Sequence, residues 1–165
     1  MRLETERLVL REMTADDVDP LLGVFGDARV MESFASPPFD RAAMERWVAR
    51  NLAHQRDHGY GLFTLIDKAD GTVIGDCGLE QMDIGAELGY DLRADRWGRG
   101  LATEAAGAVR DFAFATLHLP RLVSLVRVGN VSSRRVAEKV GMAWCEDLVR
   151  SGVRYWRMEM AGPER

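Results

Sequence analysis

Residues Trp97 to Ala105 read WGRGLATEA: two glycines with an arginine between them, followed by a run of helical character. The first N–H groups of an α-helix lack intrahelical acceptors, and the helix dipole adds partial positive charge there, so a helix mouth attracts anions. Gly98 and Gly100 let the backbone curl until several N–H groups meet one phosphate, and Arg99 supplies charge from the side. Two common phosphate motifs fail on named residues. A nucleotide P-loop ends Gly-Lys-Ser/Thr, whereas this stretch runs Gly100-Leu-Ala-Thr103. A dinucleotide fingerprint needs a small residue at Thr103 and an acid after the next strand, where the chain reads Arg127-Val-Gly-Asn130.

The elements that must hold this mouth in place are legible from periodicity. GAELGYDL, Gly85 to Leu92, is a strand before the motif, and Ala105, Ala106, Val109, Phe112 and Ala113 repeat at helical spacing after it. LVSLVRV, Leu122 to Val128, is apolar on both faces, as an interior strand is. Strand, loop, helix and strand form a βαβ unit, which makes 85–92 and 122–128 parallel. Upstream, residues 7–13 alternate as a first strand, and Thr14-Ala-Asp-Asp17 is a capping box for a helix closed by Gly26. Asp40 caps a second helix with a stripe of Met44, Trp47, Val48 and Leu52, ended by Gly59; Ser33 to Asp40 is a loop between the two. Residues 60–67 and 72–79 form a hairpin, Asn130 caps a short helix ended by Gly141, and 142–150 with 152–160 form a last hairpin. The expectation is one mixed α/β domain over residues 1–165, with about seven strands and about four helices.

Charge narrows the partners. With 26 acids against 22 bases and no basic run, nucleic acid is an unsuitable ligand and a cationic one suits better. Cys77, Cys145, His54, His58 and His118 lack disulfide-framework or metal-ligand spacing, so no metal is expected. MRLETERLVLREM has no apolar core of a signal peptide, and no segment approaches 18 apolar residues. A cytoplasmic protein with reduced thiols and no membrane partner is the expectation.

Four stretches, ETERLVLREMTADD, ELGYDL, WGRGLATEA and NVSSRRVAEKVGM, together resemble the GNAT superfamily of N-acetyltransferases, in the RimJ/RimL-like branch that acetylates ribosomal-protein N-termini. The resemblance runs from about Glu4 to Met160. The family's pyrophosphate loop, Gln/Arg-x-x-Gly-x-Gly/Ala, is matched at Gly100 and Ala102, while its first position is Trp97, a departure typical of that branch. The resemblance implies a mostly antiparallel sheet in which the parallel pair, 85–92 and 122–128, splays to admit the pantetheine arm of acetyl-CoA. It implies that Tyr90 and Leu92 pair with pantetheine, that Trp97, Gly98, Arg99, Gly100, Leu101, Ala102 and Thr103 meet the pyrophosphate, and that Asn130, Ser133 and Arg134 bind the cofactor's other side. Asn130 reads equally as a cap or turn residue.

An amine attacks a thioester only as the free base, yet α-amino groups titrate near about 8 and lysines near about 10.4, so its proton needs an acceptor. Glu87, an acid within an apolar strand, is the candidate general base; period-two alternation also fits a solvated strand residue. A backbone N–H near Tyr90 is the candidate oxyanion donor. Many relatives place an acidic tyrosine seven residues after the Asn; here that residue is Ala137, leaving Tyr90 or Ser133 as the donor to the leaving thiolate. The family's acceptor wall maps to Phe34, Phe39, Tyr155 and Trp156. The implied activity is direct acetyl transfer to a primary amine, a protein N-terminus or a small molecule, by a chain whose candidate assembly is a homodimer. The alternative is a noncatalytic acyl-CoA-binding module.

Overall fold

In a computed structural model, which describes residues 1–164, one sheet of eight strands separates two layers of helices. The strands are β1 (Arg2–Glu4), β2 (Leu8–Glu12), β3 (Leu62–Asp67), β4 (Val73–Met82), β5 (Gly85–Leu92), β6 (Arg121–Arg127), β7 (Ala143–Arg150) and β8 (Val153–Ala161). Their order across the sheet is β1-β2-β3-β4-β5-β6-β8-β7. Every neighbouring pair is antiparallel except β5 and β6, the parallel pair expected from the βαβ pattern.

The helices are α1 (Val18–Phe25), α2 (Ala28–Met31), α3 (Arg41–His58), α4 (Leu101–Ala115) and α5 (Val131–Lys139). Local chemistry sets their ends. The Asp17 carboxylate accepts from the Thr14 N–H at 2.9 Å, as the capping box requires, although it first closes a 3-10 turn, Ala15–Asp17, before α1 begins. Asp40 accepts from the Ala43 N–H at 2.8 Å, and Gly59 ends α3 in the left-handed conformation.

The expected seven strands and four helices become eight and five among the described residues. The added strand, β1, is three residues long and depends on pairing with β2, so it has no periodicity to read; the first strand itself is Leu8–Glu12 within the expected 7–13. The added helix, α2, is a single turn capped by Asp27. A 3-10 turn, Glu32–Phe34, occupies the start of the expected 33–40 loop.

Two apolar clusters fill the layers. Leu8, Leu10, Leu65, Leu79, Leu88 and Leu122 pack with the buried face of α4 and with Ala137 and Val140 from α5 and its end. On the opposite face Leu21, Phe25, Met31, Met44 and Val48 join α1, α2 and α3. Burial of these side chains from both sides is what a layered α/β sheet needs. No helix among the described residues is long and apolar enough to cross a membrane.

Candidate active site

The parallel pair is the centre of the site. β5 and β6 share register only at Ala86–Leu122 and Glu87–Val123, after which the strands part. Along β5 the backbone groups alternate: Arg93 N–H donates to the Ile74 carbonyl in β4, so Leu88, Tyr90 and Leu92 turn their groups toward β6. Side chains and carbonyls partly fill the opening. Ser124 Oγ donates to the Leu88 carbonyl at 2.7 Å, and Trp97 Nε1 donates to the Leu92 carbonyl at 3.1 Å. The expected pairing at Leu92 therefore has only its N–H available, while Tyr90 lies between the two bridged carbonyls.

Glu87 stands where the strands separate. The Leu125 N–H, which a continuous parallel ladder would give to a β5 carbonyl, donates to the Glu87 carboxylate at 3.2 Å. Burial pushes the Glu87 carboxyl up to about 7, and the nearby acids Glu80 and Asp91 add to that, against the lowering effect of the Leu125 bond.

Beyond the opening lies the helix mouth. Gly98 and Gly100 both have φ of 77°, and Gly100 is the N-cap of α4. A side chain at either would be strained, which is why glycine is needed there. Among the described residues no N–H from Gly98 to Thr103 donates to a backbone carbonyl, so this stretch presents a concave row of donors. Gly98, Arg99 and Gly100 are exposed, whereas the Leu101 side chain is buried in the core and anchors the first turn. Ala102 and Thr103 are half-buried beside it.

Across the gap, Asn130 caps α5 by accepting from the Ser133 N–H at 3.2 Å, so its capping role is observed. The Tyr90 phenol donates to the Ser133 carbonyl at 2.6 Å, and Ser133 Oγ donates to the phenol at 3.2 Å. Burial pushes the phenol up to about 12, and the Ala137 N–H also lies within its reach. Tyr90 thus brings a phenol from β5 to α5 beside Ala137, the position at which the resemblance implied a tyrosine. Arg134 lies with its guanidinium 4.6 Å from the centre of the Trp156 ring, a cation–π arrangement.

That contact corrects one grouping. Tyr155 and Trp156 are consecutive in β8 and face opposite sides of the sheet. Trp156 opposes Val126 and packs on the α4–α5 core, away from the expected acceptor wall. Tyr155 opposes Arg127, whose guanidinium donates to the Glu32 carbonyl beside Phe34, and so stays on the Glu87 side. Phe34 and Phe39 form an aromatic group with Phe25 and Trp47, ring centres 5.3 to 6.4 Å apart. Phe39 is half-buried within it and Phe34 is exposed.

Glu80 and Glu87 suit a cationic amine from sequence alone, but sequence reasoning missed Asp76 and Asp91 on the acidic floor of this side. In the β4–β5 register Glu80 opposes Glu87, Gly78 opposes Gly89 and Asp76 opposes Asp91, so four carboxyl groups and two glycines share one face. A Cβ built on Gly89 meets no atom within 4 Å, leaving open space between Glu87 and Asp91. Asp76 is fully buried, accepts from Trp47 Nε1 at 3.1 Å, and has no partner for Oδ1. Burial and the neighbouring acid hold Asp91 well above the carboxylate range, while burial pushes Asp76 to about 6. Burial and mutual repulsion thus both oppose ionising the two facing carboxyls together. The signal was an acid at the same point of two adjacent strands, invisible until their register is known.

A splayed parallel pair, a donor-rich helix mouth at its end and an acidic face on the other side of β5 form one continuous candidate site, and the family is given by comparison. Residues 7–143 match the "Acetyltransferase (GNAT) domain" family, and the chain belongs to it. It is 33% identical, over 99% of its length and 95% of that protein's, to the uncharacterized protein YkkB of Bacillus subtilis. An acetyltransferase structure from Agrobacterium tumefaciens is 31% identical with a TM-score of 0.84, covering 97% of this chain and 94% of that one. The structure of RimL, a ribosomal L7/L12 alpha-N-protein acetyltransferase in complex with coenzyme A, shares the fold at 17% identity, TM-score 0.82 and 98% coverage of both chains. The chain is an N-acetyltransferase of the acetyl-CoA-dependent type.

Proposed function

We propose that residues 1–165 act as one cytoplasmic domain that transfers acetyl directly from acetyl-CoA to a cationic primary amine held in a ternary complex. Glu87 carries this reading: a carboxylate at the mouth of the gap, held near about 7, is half ionised where a protonated amine must lose its proton.

The pantetheine arm lies along β5 at Tyr90 and the Leu92 N–H, and the pyrophosphate meets the N–H groups of Gly98 to Thr103 with Arg99 beside them. Asn130, Ser133 and Arg134 border the other side of the cofactor. The amine enters over Gly89, between the acidic floor and the side chains of Phe34, Phe39 and Tyr155. Glu87 accepts one proton, the nitrogen attacks the thioester carbonyl, and a β5 N–H near Tyr90 stabilises the oxyanion. Collapse breaks the C–S bond. The nitrogen's second proton balances the thiolate, which departs beside the Ser133 hydroxyl and the Tyr90 phenol; with a thiol pKa of about 8.5 it needs no stronger acid. With Glu87, Asp76, Asp91 and Glu80 on one face and, among the described residues, only Arg50 paired with them, at Glu80, this side favours a cation over a neutral acceptor, and a protein N-terminus and a small-molecule amine both satisfy that.

The test is release of free CoA with a panel of amines, in the parent enzyme and Glu87→Gln. The substitution is expected to lower turnover by on the order of a hundredfold while acetyl-CoA affinity stays within about twofold. Near-normal turnover across the pH range would remove Glu87 from the mechanism and leave proton removal to water.

A further inference from the structure

The ETER stretch at the start of the chain has no part in the reaction described so far, yet its arginine reaches the helix mouth. Arg7 Nη1 donates to the Arg99 carbonyl at 2.8 Å, its Nε donates to Glu104 Oε1 at 2.8 Å, and its backbone N–H donates to Glu104 Oε2 at 2.9 Å. Thr5 Oγ1 donates to the same carboxylate oxygen. The strap is fixed from behind, because Lys68 Nζ donates to the Thr5 carbonyl at 2.7 Å and the Lys68 N–H donates to the Arg7 carbonyl at 2.9 Å.

We propose that Arg7 is a positioning residue for the cofactor's diphosphate: by holding the Arg99 carbonyl on the strap side, it turns the Gly100 N–H to the opposite side, toward the anion. The peptide between Arg99 and Gly100 is trans, and in a trans peptide the carbonyl and N–H point in opposite directions. Gly100 at φ of 77° is free to rotate into other conformations, so an external clamp is what fixes the orientation. This inference rests on the phosphate-loop reading of Proposed function.

Stability is a weak explanation for the same contacts. The Arg7 side chain is 44% exposed, and ion pairs at that exposure add little to stability. Charge alone is also insufficient, because Arg7 is already matched by Glu104. That match has its own use. Glu104 lies in the first turn of α4, where a bare carboxylate would repel a phosphate; burial would push its carboxyl up, yet bonds from Thr5 and Arg7 hold it below the usual range and the guanidinium cancels its charge.

Two acetyl donors separate the roles: acetyl-CoA, and S-acetylpantetheine, which carries the same thioester and arm without the diphosphate. Arg7→Met is expected to raise the KM for acetyl-CoA by on the order of tenfold, leaving kcat at saturation and all constants for S-acetylpantetheine unchanged. Arg7→Lys keeps the charge but cannot bridge the carbonyl and the carboxylate as a fork does, so it loses nearly as much. Arg7→Gln, which keeps a hydrogen-bond donor but loses the fork and the charge, shifts the same constant in the same direction and serves if Arg7→Met fails to fold. Parent-like acetyl-CoA constants in Arg7→Met, a parent-like Arg7→Lys, or an equal loss on both donors would each overturn the proposal. If the parent enzyme shows no preference for acetyl-CoA over S-acetylpantetheine, the phosphate-loop reading falls first and this one with it.

Discussion

The two sides of β5 offer a ligand different chemistry. On the α4 side the donors are backbone N–H groups freed by Gly98 and Gly100, and the side chains there mostly support conformation: Leu101 anchors, Arg7 clamps, Trp97 ties back to the Leu92 carbonyl. On the α1–α3 side, where the proposed function seats the acceptor, the face carries carboxyl groups and aromatic rings, with glycine providing space. Backbone recognition reads a phosphate of any sequence context and tolerates change in surface side chains. Side-chain recognition is adjustable residue by residue, so the same cofactor site can serve many acceptors.

This contrast is open to direct attack. The largest effect is expected from Gly100→Val, which forces a β-branched residue into the left-handed region and breaks the donor row. Its KM for acetyl-CoA should rise by on the order of a hundredfold while the KM for amine barely moves, read from initial rates with each substrate varied. Equal changes in both would show that the two sides are not independent. The mirror experiment is Gly89→Leu, which fills the open space on the acceptor side: the amine KM should rise by roughly tenfold, with acetyl-CoA affinity by calorimetry within about twofold. An unchanged amine KM would move the acceptor elsewhere.

A smaller effect concerns pH. Because the folded-state pKa of Glu87 is raised from 4.5 to about 7, the folded protein holds more protons than the unfolded chain between those values. Its contribution to stability is full below about 4.5 and is lost as pH rises through about 7, the range in which activity rises with the ionised base. Glu87→Gln should therefore be more stable than the parent at pH 8 by on the order of 2 kcal/mol, in urea unfolding, and equal to it near pH 4. A parent curve that is flat from pH 5 to 8 would contradict the buried setting of Glu87. The smallest effect belongs to Asp91→Asn. Because burial and Asp76 hold the Asp91 carboxyl well above the carboxylate range, an amide of the same shape should change stability by less than about 1 kcal/mol, while the amine KM rises a few-fold. A tenfold or larger loss would mean that Asp91 is ionised when the amine binds.

Much of the cofactor side was legible before any coordinates, because the strand 85–92, the glycine pair and the amphipathic α4 are local patterns. Glu87 stood out for the same reason, as an acid among apolar neighbours in one short strand. The acceptor side depends on pairings that periodicity does not carry. Asp76 and Asp91 lie fifteen residues apart in sequence and become partners only through the β4–β5 register. Tyr155 and Trp156 were grouped as one wall although strand alternation separates them. The Arg7 clamp joins residues 92 positions apart, and no local rule links a strap arginine to a loop carbonyl.

The early parting of β5 and β6 also governs how the molecule comes apart. Beyond Glu87 and Val123 the sheet is two plates, β1 to β5 on one side and β6, β8 and β7 on the other, held by α4, α5 and a few side-chain bridges such as Ser124 to Leu88. Bending about that seam breaks no backbone ladder beyond Glu87 and Val123, so it is expected to cost less than bending elsewhere in the sheet. Whatever occupies the seam acts as mortar between them. With acetyl-CoA seated there as proposed, resistance to heat and proteolysis is expected to follow the supply of the enzyme's own acyl donor.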